Sequence, residues 1–256
     1  MPFIRLFLLP ITLFYGLVVF LRNMLFEYGI FSSKEYSVPI ISVGNLCTGG
    51  GGKSPLVEYI LRLIDNRYKV AVLSRGYGRD SKGFQWVTNK SFVKDVGDES
   101  LQIARKFPKI NVAVSESRNK GIQEIIYKEC DLILLDDAYQ HRWVKPGLNI
   151  LLTSYDNLFI NDNLLPYGKL RESKKNFRRA DIIVVTKTPY PLLPLDEFRL
   201  KEQISPLFNQ KLYYSYLEYL EPVSLYTKKS VSIEGKEVIL MTAIASADLL
   251  KEYVDS

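Results

Sequence analysis

The stretch that decides the fold is VGNLCTGGGGKSPLVE, residues 43–58, in which a short apolar strand leads through four glycines into an apolar helix. Glycines let the backbone turn sharply and point bare N–H groups at an anion, and the N-terminal end of the following helix adds positive charge. In such a loop a lysine reaches the outer phosphates of a nucleotide, and the next hydroxyl lies on Mg²⁺. The residues predicted for this site are Gly49, Gly50, Gly51, Gly52, Lys53 and Ser54.

The loop departs from the strict pattern at one position, because Cys47 stands where the pattern has glycine, six residues before the lysine. A flexible glycine-rich turn without a ligand is the alternative interpretation. The apolar strand before the glycines and the helix after them favour the phosphate-binding loop. Pro55 supports the helix start, since the first turn needs no N–H from that residue.

Length, charge and cysteine content limit the class of protein. The 256 residues are enough for one large domain or two small ones. A formal net charge of +6 predicts an anionic partner, which could be a nucleotide, a lipid headgroup, a membrane surface or a nucleic acid. Dispersed basic residues without a recognition motif disfavour nucleic acid. Cys47 and Cys130 are the two cysteines, so a disulfide framework is excluded and a cytoplasmic setting is favoured.

The N-terminal segment is strongly apolar between Arg5 and Arg22. The run at residues 7–21 is short for a bilayer crossing, which needs about 20 apolar residues. We interpret residues 3–24 as a helix in the membrane surface, with both arginines at headgroup level. A buried core helix and a secretory signal are the alternatives, although small cleavage-site residues do not follow Arg22.

Strands and helices alternate along most of the chain. Strands are predicted at residues 36–45, 68–74, 84–88, 111–115, 131–135, 148–153 and 181–187, and helices at residues 55–66, 98–107 and 118–128. This alternation predicts an α/β fold like that of the P-loop NTPases, with a mostly parallel sheet and flanking helices. Ligands of such sheets bind at the carboxyl ends of the strands.

A proline-rich stretch at residues 188–194 interrupts the alternation. A helix at residues 195–204 and strands at residues 211–219 and 237–241 are predicted beyond it. We therefore expect three units: an N-terminal membrane-interface helix (residues 1–24), a phosphate-binding core (residues 25–150) and a smaller C-terminal lobe (residues 151–256).

Two acids follow the apolar strand CDLILLDD, residues 130–137. In nucleotide hydrolases and kinases, carboxylates at such a strand end hold Mg²⁺, which predicts this role for Asp136 and Asp137. The next residues, AYQHR, contain His141, the one histidine of the chain, beside Gln140. An isolated histidine is often structural, but its position after the acidic strand favours the active site.

Several segments, in this order, resemble the tetraacyldisaccharide 4'-kinases (lipid A 4'-kinases) of Gram-negative bacteria. The segments are VGNLCTGGGGKSP at 43–55, LSRGYGR at 73–79, GDES at 97–100, DDAYQHR at 136–142, LLPYGKLRES at 164–173, ADIIVVTK at 180–187 and MTAIAS at 241–246. The chain differs from the family pattern at Cys47, which is usually threonine, at Ser100, which is usually proline, and at Ala138 and Tyr139, which are usually glycine and phenylalanine.

The resemblance implies transfer of the γ-phosphoryl group of ATP to the 4'-hydroxyl of a tetraacylated glucosamine disaccharide 1-phosphate, with ATP and Mg²⁺ required. It implies an acylated disaccharide lipid and an anionic membrane surface as partners, and neither a nucleic acid nor a protein partner. The expected location is the cytoplasmic face of the bacterial inner membrane. The basic charge and the apolar N-terminal helix agree with such a substrate.

The resemblance also implies roles for single residues. Asp98 takes the place of the carboxylate that accepts the proton of the sugar hydroxyl, with a helix N-cap as the alternative role. Lys53 and His141 are the other expected catalytic residues. Metal contacts are expected from Ser54, Glu99, Asp136 and Asp137, and substrate contacts from Arg75, Tyr77, Gln140 and Arg171, with Arg79 and Glu172 as further candidates.

In the family an Asp-His element that supports the catalytic aspartate follows the strand resembling MTAIAS, and the 256-residue sequence ends at Ser256, before that element. We expect reduced or absent activity for the 256-residue form alone. Two other functions stay open from the sequence. A GTPase of the metallochaperone or protein-targeting kind is suggested by Thr186 and Lys187, although Pro189 replaces its aspartate. The other is a catalytically silent nucleotide-binding membrane protein.

Overall fold

The computed structural model describes residues 2–64, 67–242 and 247–255, and the side chains from residue 7 onward except that of residue 248. Within these residues one sheet contains β1 (Ile40–Asn45), β2 (Val70–Ser74), β3 (Gln85–Val87), β4 (Asn111–Val114), β5 (Leu132–Asp136), β6 (Leu148–Ser154), β7 (Ile182–Thr186) and β8 (Lys211–Tyr214). The α-helices are α1 (Pro2–Glu27), α2 (Lys53–Ile64), α3 (Val93–Val96), α4 (Asp98–Lys106), α5 (Arg118–Ile126), α6 (Pro194–Ile204) and α7 (Asp248–Asp255).

The strand order is β3-β4-β2-β5-β1-β6-β7-β8, and every neighbouring pair is parallel except β3 and β4. From β1 the chain moves toward one edge, and after β5 it crosses β1 to build the other side of the sheet. The carboxyl end of β1 therefore lies at the topological switch point, where doubly wound sheets bind their ligands. The predicted mostly parallel sheet is confirmed.

Apolar side chains cover both faces of the sheet, which explains why its strands read as continuous apolar runs. In β2, Val70 and Val72 face the cluster beneath α2 and α4, whereas Ala71 and Leu73 face the cluster beneath α5. A third cluster joins β6 and β7 to α6. The two helices α2 and α4 thus share one face of the sheet.

The N-terminal segment forms the single long helix α1, as its composition predicts. Residues Phe7–Glu27 are long and apolar enough to cross a membrane by length and composition, and little of that window is buried in the protein. The large apolar side chains exposed on this helix include Phe7, Leu13, Phe14, Leu17 and Phe20.

The sheet also tests the expectations for the second half of the chain. It is continuous across residue 150, because β6 pairs with β1 from Ile41–Leu148 to Asn45–Leu152. The division at that residue stays a prediction. The strand predicted at residues 237–241 is wrong: the segment has no ladder partner among the described residues, and Ile239 and Met241 are almost fully exposed. Residues 243–246 of the MTAIAS segment lie outside the described residues.

Candidate active site

The glycine loop connects the carboxyl end of β1 to the first residue of α2, Lys53. Gly49 and Gly52 have φ of +104° and +78°, a region that residues with a Cβ rarely adopt. A Cβ on Gly51 would lie 3.0 Å from Asn45 Nδ2. Glycine is therefore favoured by conformation at two positions of the loop and by close packing at a third.

Two segments from the second half of the chain hold this loop in place. The backbone N–H of Thr48 donates to the carbonyl oxygen of Lys169 at 2.8 Å, and Cys47 forms an antiparallel bridge with Leu170. Thr186, at the end of β7, donates from Oγ1 to the carbonyl oxygen of Gly51 at 3.1 Å. The loop is thus supported by Lys169 and the adjoining LRES segment (residues 170–173), and by the end of β7.

Lys53 and Asp137 meet beside the loop, with 3.9 Å between Nζ and Oδ1. Arg171 donates from Nη1 to both Asp137 carboxylate oxygens at 3.0 Å and to Gln140 Oε1 at 3.3 Å. The carboxylate therefore lies between two cations, and Asp137 itself has a φ of +47°. The structure brings together four of the residues predicted from separate motifs.

Asp136, the last residue of β5, carries a buried carboxyl group. Burial, with the nearby charges of Glu99 and Asp137, raises its pKa to about 7. Its Oδ1 has no hydrogen-bond partner among the described residues. An unpartnered buried carboxyl oxygen is costly, which is a reason to expect a ligand at this point.

Arg118 contacts the backbone of Asp136 and is not among the site residues predicted from the sequence. Its Nη2 donates to the Asp136 carbonyl oxygen at 3.1 Å and its Nη1 to the Ser115 carbonyl oxygen at 2.8 Å. Burial lowers its pKa to about 10. It begins α5, four residues after the end of β4, at the same sheet edge as the other strand ends, and this place is a signal that could have identified it.

Asp98 and Glu99 begin α4 on the other side of the loop. Gly97 occupies the N-cap position, so the alternative interpretation of Asp98 as the N-cap is wrong. The exposed carboxylate of Asp98 accepts a hydrogen bond from the Glu99 N–H at 2.8 Å. Ser54 Oγ donates to Glu99 Oε1 at 3.2 Å, which places the start of α4 against the start of α2.

His141 is partly buried at the turn after β5. Burial and the charges of Arg118, Arg22 and Arg75 lower its pKa to about 4, so the imidazole is neutral at physiological pH. Its Nε2 has no hydrogen-bond partner among the described residues. A neutral ring with an unpartnered nitrogen is able to exchange a hydrogen bond with a ligand.

The loop after β2 contains two predicted substrate contacts, Arg75 and Tyr77, and an arginine with a structural role, Arg79. Arg75 is exposed, and Tyr77 is 88% exposed. Arg79 is different, because its Nη2 donates to the Gly83 carbonyl oxygen and to Glu116 Oε1, both at 2.6 Å. Its guanidinium therefore closes the loop onto itself, whereas the other two side chains are accessible to a ligand.

The helix α1 is seated directly on these site segments. Tyr15 donates from its hydroxyl to the Arg171 carbonyl oxygen at 2.6 Å, and Arg22 donates from Nη2 to the Gln140 carbonyl oxygen at 2.7 Å. Asn23 Nδ2 donates to the buried carboxylate of Glu172 at 3.1 Å. One side of this apolar helix is thus part of the wall of the candidate site.

The family assignment follows from comparison with known proteins. The chain matches the LpxK family model, described as tetraacyldisaccharide-1-P 4'-kinase, over residues 4–255. The chain belongs to this family. Among its 4'-kinase relatives, that of Bacteroides thetaiotaomicron is 42% identical over 97% of this chain and 70% of the relative. That of Parabacteroides distasonis is 46% identical over 96% of this chain and 69% of the relative.

A solved 4'-kinase has a similar fold. The crystal structure of LpxK from Aquifex aeolicus in complex with ATP is 30% identical in sequence, with a TM-score of 0.67. The match covers 91% of this chain and 86% of that chain. The family, the fold class and the kinase class predicted from the sequence are confirmed. The roles of the individual site residues stay predictions.

Proposed function

We propose that this chain transfers the γ-phosphoryl group of ATP to the 4'-hydroxyl of a tetraacylated glucosamine disaccharide 1-phosphate at a membrane surface. The observation that carries this proposal is the meeting of Lys53, Asp137 and Arg171 beside the glycine loop, directly against α1. The candidate phosphate site and an exposed apolar helix therefore lie side by side. Phosphorylation of an acylated sugar requires a site for the phosphate and an apolar surface for the acyl chains.

Lys53 and the loop backbone are proposed to hold the β- and γ-phosphates of ATP. In the structure Lys53 is paired with Asp137, a carboxylate that also has Arg171 as a partner. Binding of a phosphate would give Lys53 a second anion, while Arg171 continues to neutralise Asp137. Phosphoryl transfer depends mostly on such alignment and charge neutralisation.

The residues present fit a magnesium ion. Carboxylate and hydroxyl oxygens are its preferred protein ligands, and Asp136 offers a buried oxygen without a partner. Within the described residues no group of three or more His, Cys, Asp or Glu side chains could hold a metal ion by itself. This agrees with an ion that takes several of its ligands from phosphates and water. Candidate protein contacts are Ser54, Glu99, Asp136 and Asp137, and the bound ion would neutralise phosphate charge.

Asp98 is the proposed acceptor of the hydroxyl proton. Its carboxylate is exposed at the start of α4, and the contact between Ser54 and Glu99 places it next to the phosphate-binding helix. The N-terminal end of α4 also carries partial positive charge, which favours an anionic group at this position. Arg75, Tyr77, Gln140 and His141 are proposed to contact the substrate from the loops after β2 and β5.

We place the reaction at the cytoplasmic face of the inner membrane, because that face meets ATP. The exposed side of α1 would enter the headgroup region while its other side stays on the protein. Flotation with vesicles tests this step: Phe14→Glu should weaken binding because it puts a charge on the apolar surface. Equal flotation of both proteins would contradict the placement.

Phosphate transfer from radiolabelled ATP to the disaccharide 1-phosphate lipid in mixed micelles tests the reaction. Labelled lipid should form with wild-type protein that extends through the expected Asp-His element. In that protein, Lys53→Ala and Asp98→Ala should each reduce the rate by at least about 100-fold. A protein that hydrolyses ATP freely and leaves the lipid unlabelled would refute the proposed function.

A further inference from the structure

Two neighbouring helices carry the residues proposed for phosphate binding and for proton acceptance. The helix α2 begins with Lys53 and α4 begins with Asp98, and both pack on the same face of the sheet. The contact from Ser54 Oγ to Glu99 Oε1 joins their first turns. Whatever fixes α4 against α2 therefore also fixes Asp98 relative to the phosphate loop.

A buried carboxylate joins the two helices one turn further along. Glu58 of α2 is only 5% exposed, and its Oε1 accepts a hydrogen bond from Gln102 Nε2 of α4 at 3.0 Å. Its Oε2 accepts from Lys106 Nζ, also on α4. Arg62, on the same helix as the carboxylate, donates to Oε2 at 3.2 Å. Two of the three partners therefore belong to the opposite helix.

The spacing of these contacts is regular. Glu58 follows Ser54 by four residues, and Gln102 follows Asp98 by four residues, so each lies about one helical turn beyond a residue at the site. The contact between Glu58 and Gln102 thus repeats, one turn further along the same two helices, the contact between Ser54 and Glu99. Two contacts one turn apart fix both the separation of the helices and their register.

A charge at this position has a cost that an apolar side chain would avoid. Burying a carboxylate is unfavourable unless it is paired and hydrogen-bonded, and an apolar side chain could also pack one helix on the other. Unlike an apolar contact, the hydrogen bonds of the carboxylate are directional, so they fix where its partners on α4 lie. We propose that Glu58 is a positioning residue that holds α4, and with it Asp98, in line with the phosphate loop.

This inference rests on the proposed kinase reaction, and it predicts a particular kinetic change. Glu58→Met removes both acceptor oxygens while keeping an unbranched side chain of similar length. Because a misplacement of about 1 Å can lower a rate about 100-fold, kcat should fall by about 10- to 100-fold. KM for ATP and KM for the lipid should stay within about twofold, since Glu58 is placed outside the residues proposed to touch either substrate.

Matched variants separate positioning from general stability. Arg62→Met removes a partner that does not connect the helices, so its kcat should stay within about twofold of wild type. Glu58→Gln keeps one acceptor oxygen but turns an NH₂ group toward a donor at the other position, so its kcat should lie between those of wild type and Glu58→Met. Lys106→Met, at a partly exposed position, should lower kcat with little change in KM. If Glu58→Met does not fold, Lys106→Met is used for the test in its place.

Hydrogen–deuterium exchange gives a readout that needs no lipid. Amides of residues 98–106 should exchange faster in Glu58→Met than in wild type and Arg62→Met, because α4 loses its attachment. A kcat near wild type in folded Glu58→Met, equal losses in Arg62→Met, or unchanged exchange would each overturn the inference. If wild type does not phosphorylate the lipid, the proposed function fails, and the exchange experiment still decides whether Glu58 holds α4.

Discussion

Replacing Glu172 with glutamine should strongly destabilise the protein. The side chain is 1% exposed, and its oxygens accept hydrogen bonds from Arg179 at 2.6 and 3.0 Å, from Asn176 at 2.7 Å and from Asn23 at 3.1 Å. Although burial alone would lower the pKa of Arg179, its contacts with Glu172 raise it. The two charges therefore depend on each other, and together they connect α1 to the LRES segment.

The expected loss follows from leaving Arg179 without its anion. Breaking a buried ion pair by removing one partner costs about 3–5 kcal/mol. The NH₂ group of the introduced glutamine would also face donors at one of the two oxygen positions. For a chain of this size, such a loss lowers the melting temperature by roughly 6–20 °C. The free energy of unfolding of native proteins is about 5–15 kcal/mol in total. The variant should therefore still fold at low temperature.

Unfolding in detergent micelles, followed by tryptophan fluorescence, measures this loss. The centroid of the Trp143 ring lies 4.9 Å from that of the Phe26 ring in α1, so the fluorescence of Trp143 reports the docking of that helix. The matched control is Glu35→Gln, which breaks the exposed pair with Lys145 and should leave the melting temperature close to that of wild type. A Glu172→Gln protein that unfolds together with wild type, or with the control, would refute this reasoning.

Three further predictions use other sites. Gly44→Ala places a Cβ 2.8 Å from both Cβ and N of Tyr139, and should cost about 1–3 kcal/mol; an unchanged urea midpoint would contradict it. The His141 pKa is lowered to about 4, so its NMR signal should not titrate above pH 5, and the contribution of His141 to stability should fall as pH drops from about 6.5 to 4 because the unfolded chain binds this proton first. A midpoint near pH 6.5 would disprove this. Burial raises the pKa of Cys47 to about 11 and also raises that of Cys130, so alkylation at pH 8 should be slow until the chain unfolds.

The sequence predicted the elements of the sheet well where strands are buried on both faces. LILLD and IIVVT, for example, are apolar runs bounded by polar residues, and they form β5 and β7 with boundaries close to those expected. The segment at residues 237–241 has a similar composition and forms no strand. Composition gives a preference for extended backbone, but a strand also needs a neighbour, and no pattern within the segment identifies one.

The candidate site was predictable where it is built from strand ends. Lys53 follows β1 and Asp137 follows β5, and the carboxyl ends of adjacent parallel strands must lie close together. The contact of Arg171 with Asp137 was not predictable, because Arg171 belongs to an irregular segment whose path depends on tertiary packing. The same holds for Asn23 and Glu172, which are 149 residues apart in sequence.

The LRES segment joins the apolar helix α1 to the glycine loop. Its Arg171 accepts a hydrogen bond from Tyr15 of α1 through the carbonyl oxygen and binds Asp137 through the side chain. Two residues earlier, the Lys169 carbonyl oxygen accepts the N–H of Thr48 in the loop. A shift of α1 would therefore move the backbone that supports both the loop and the carboxylate paired with Lys53. Because packed interiors transmit strain rather than absorb it, the position of α1 is part of the geometry of the candidate site, in addition to the role at a membrane that we propose for this helix.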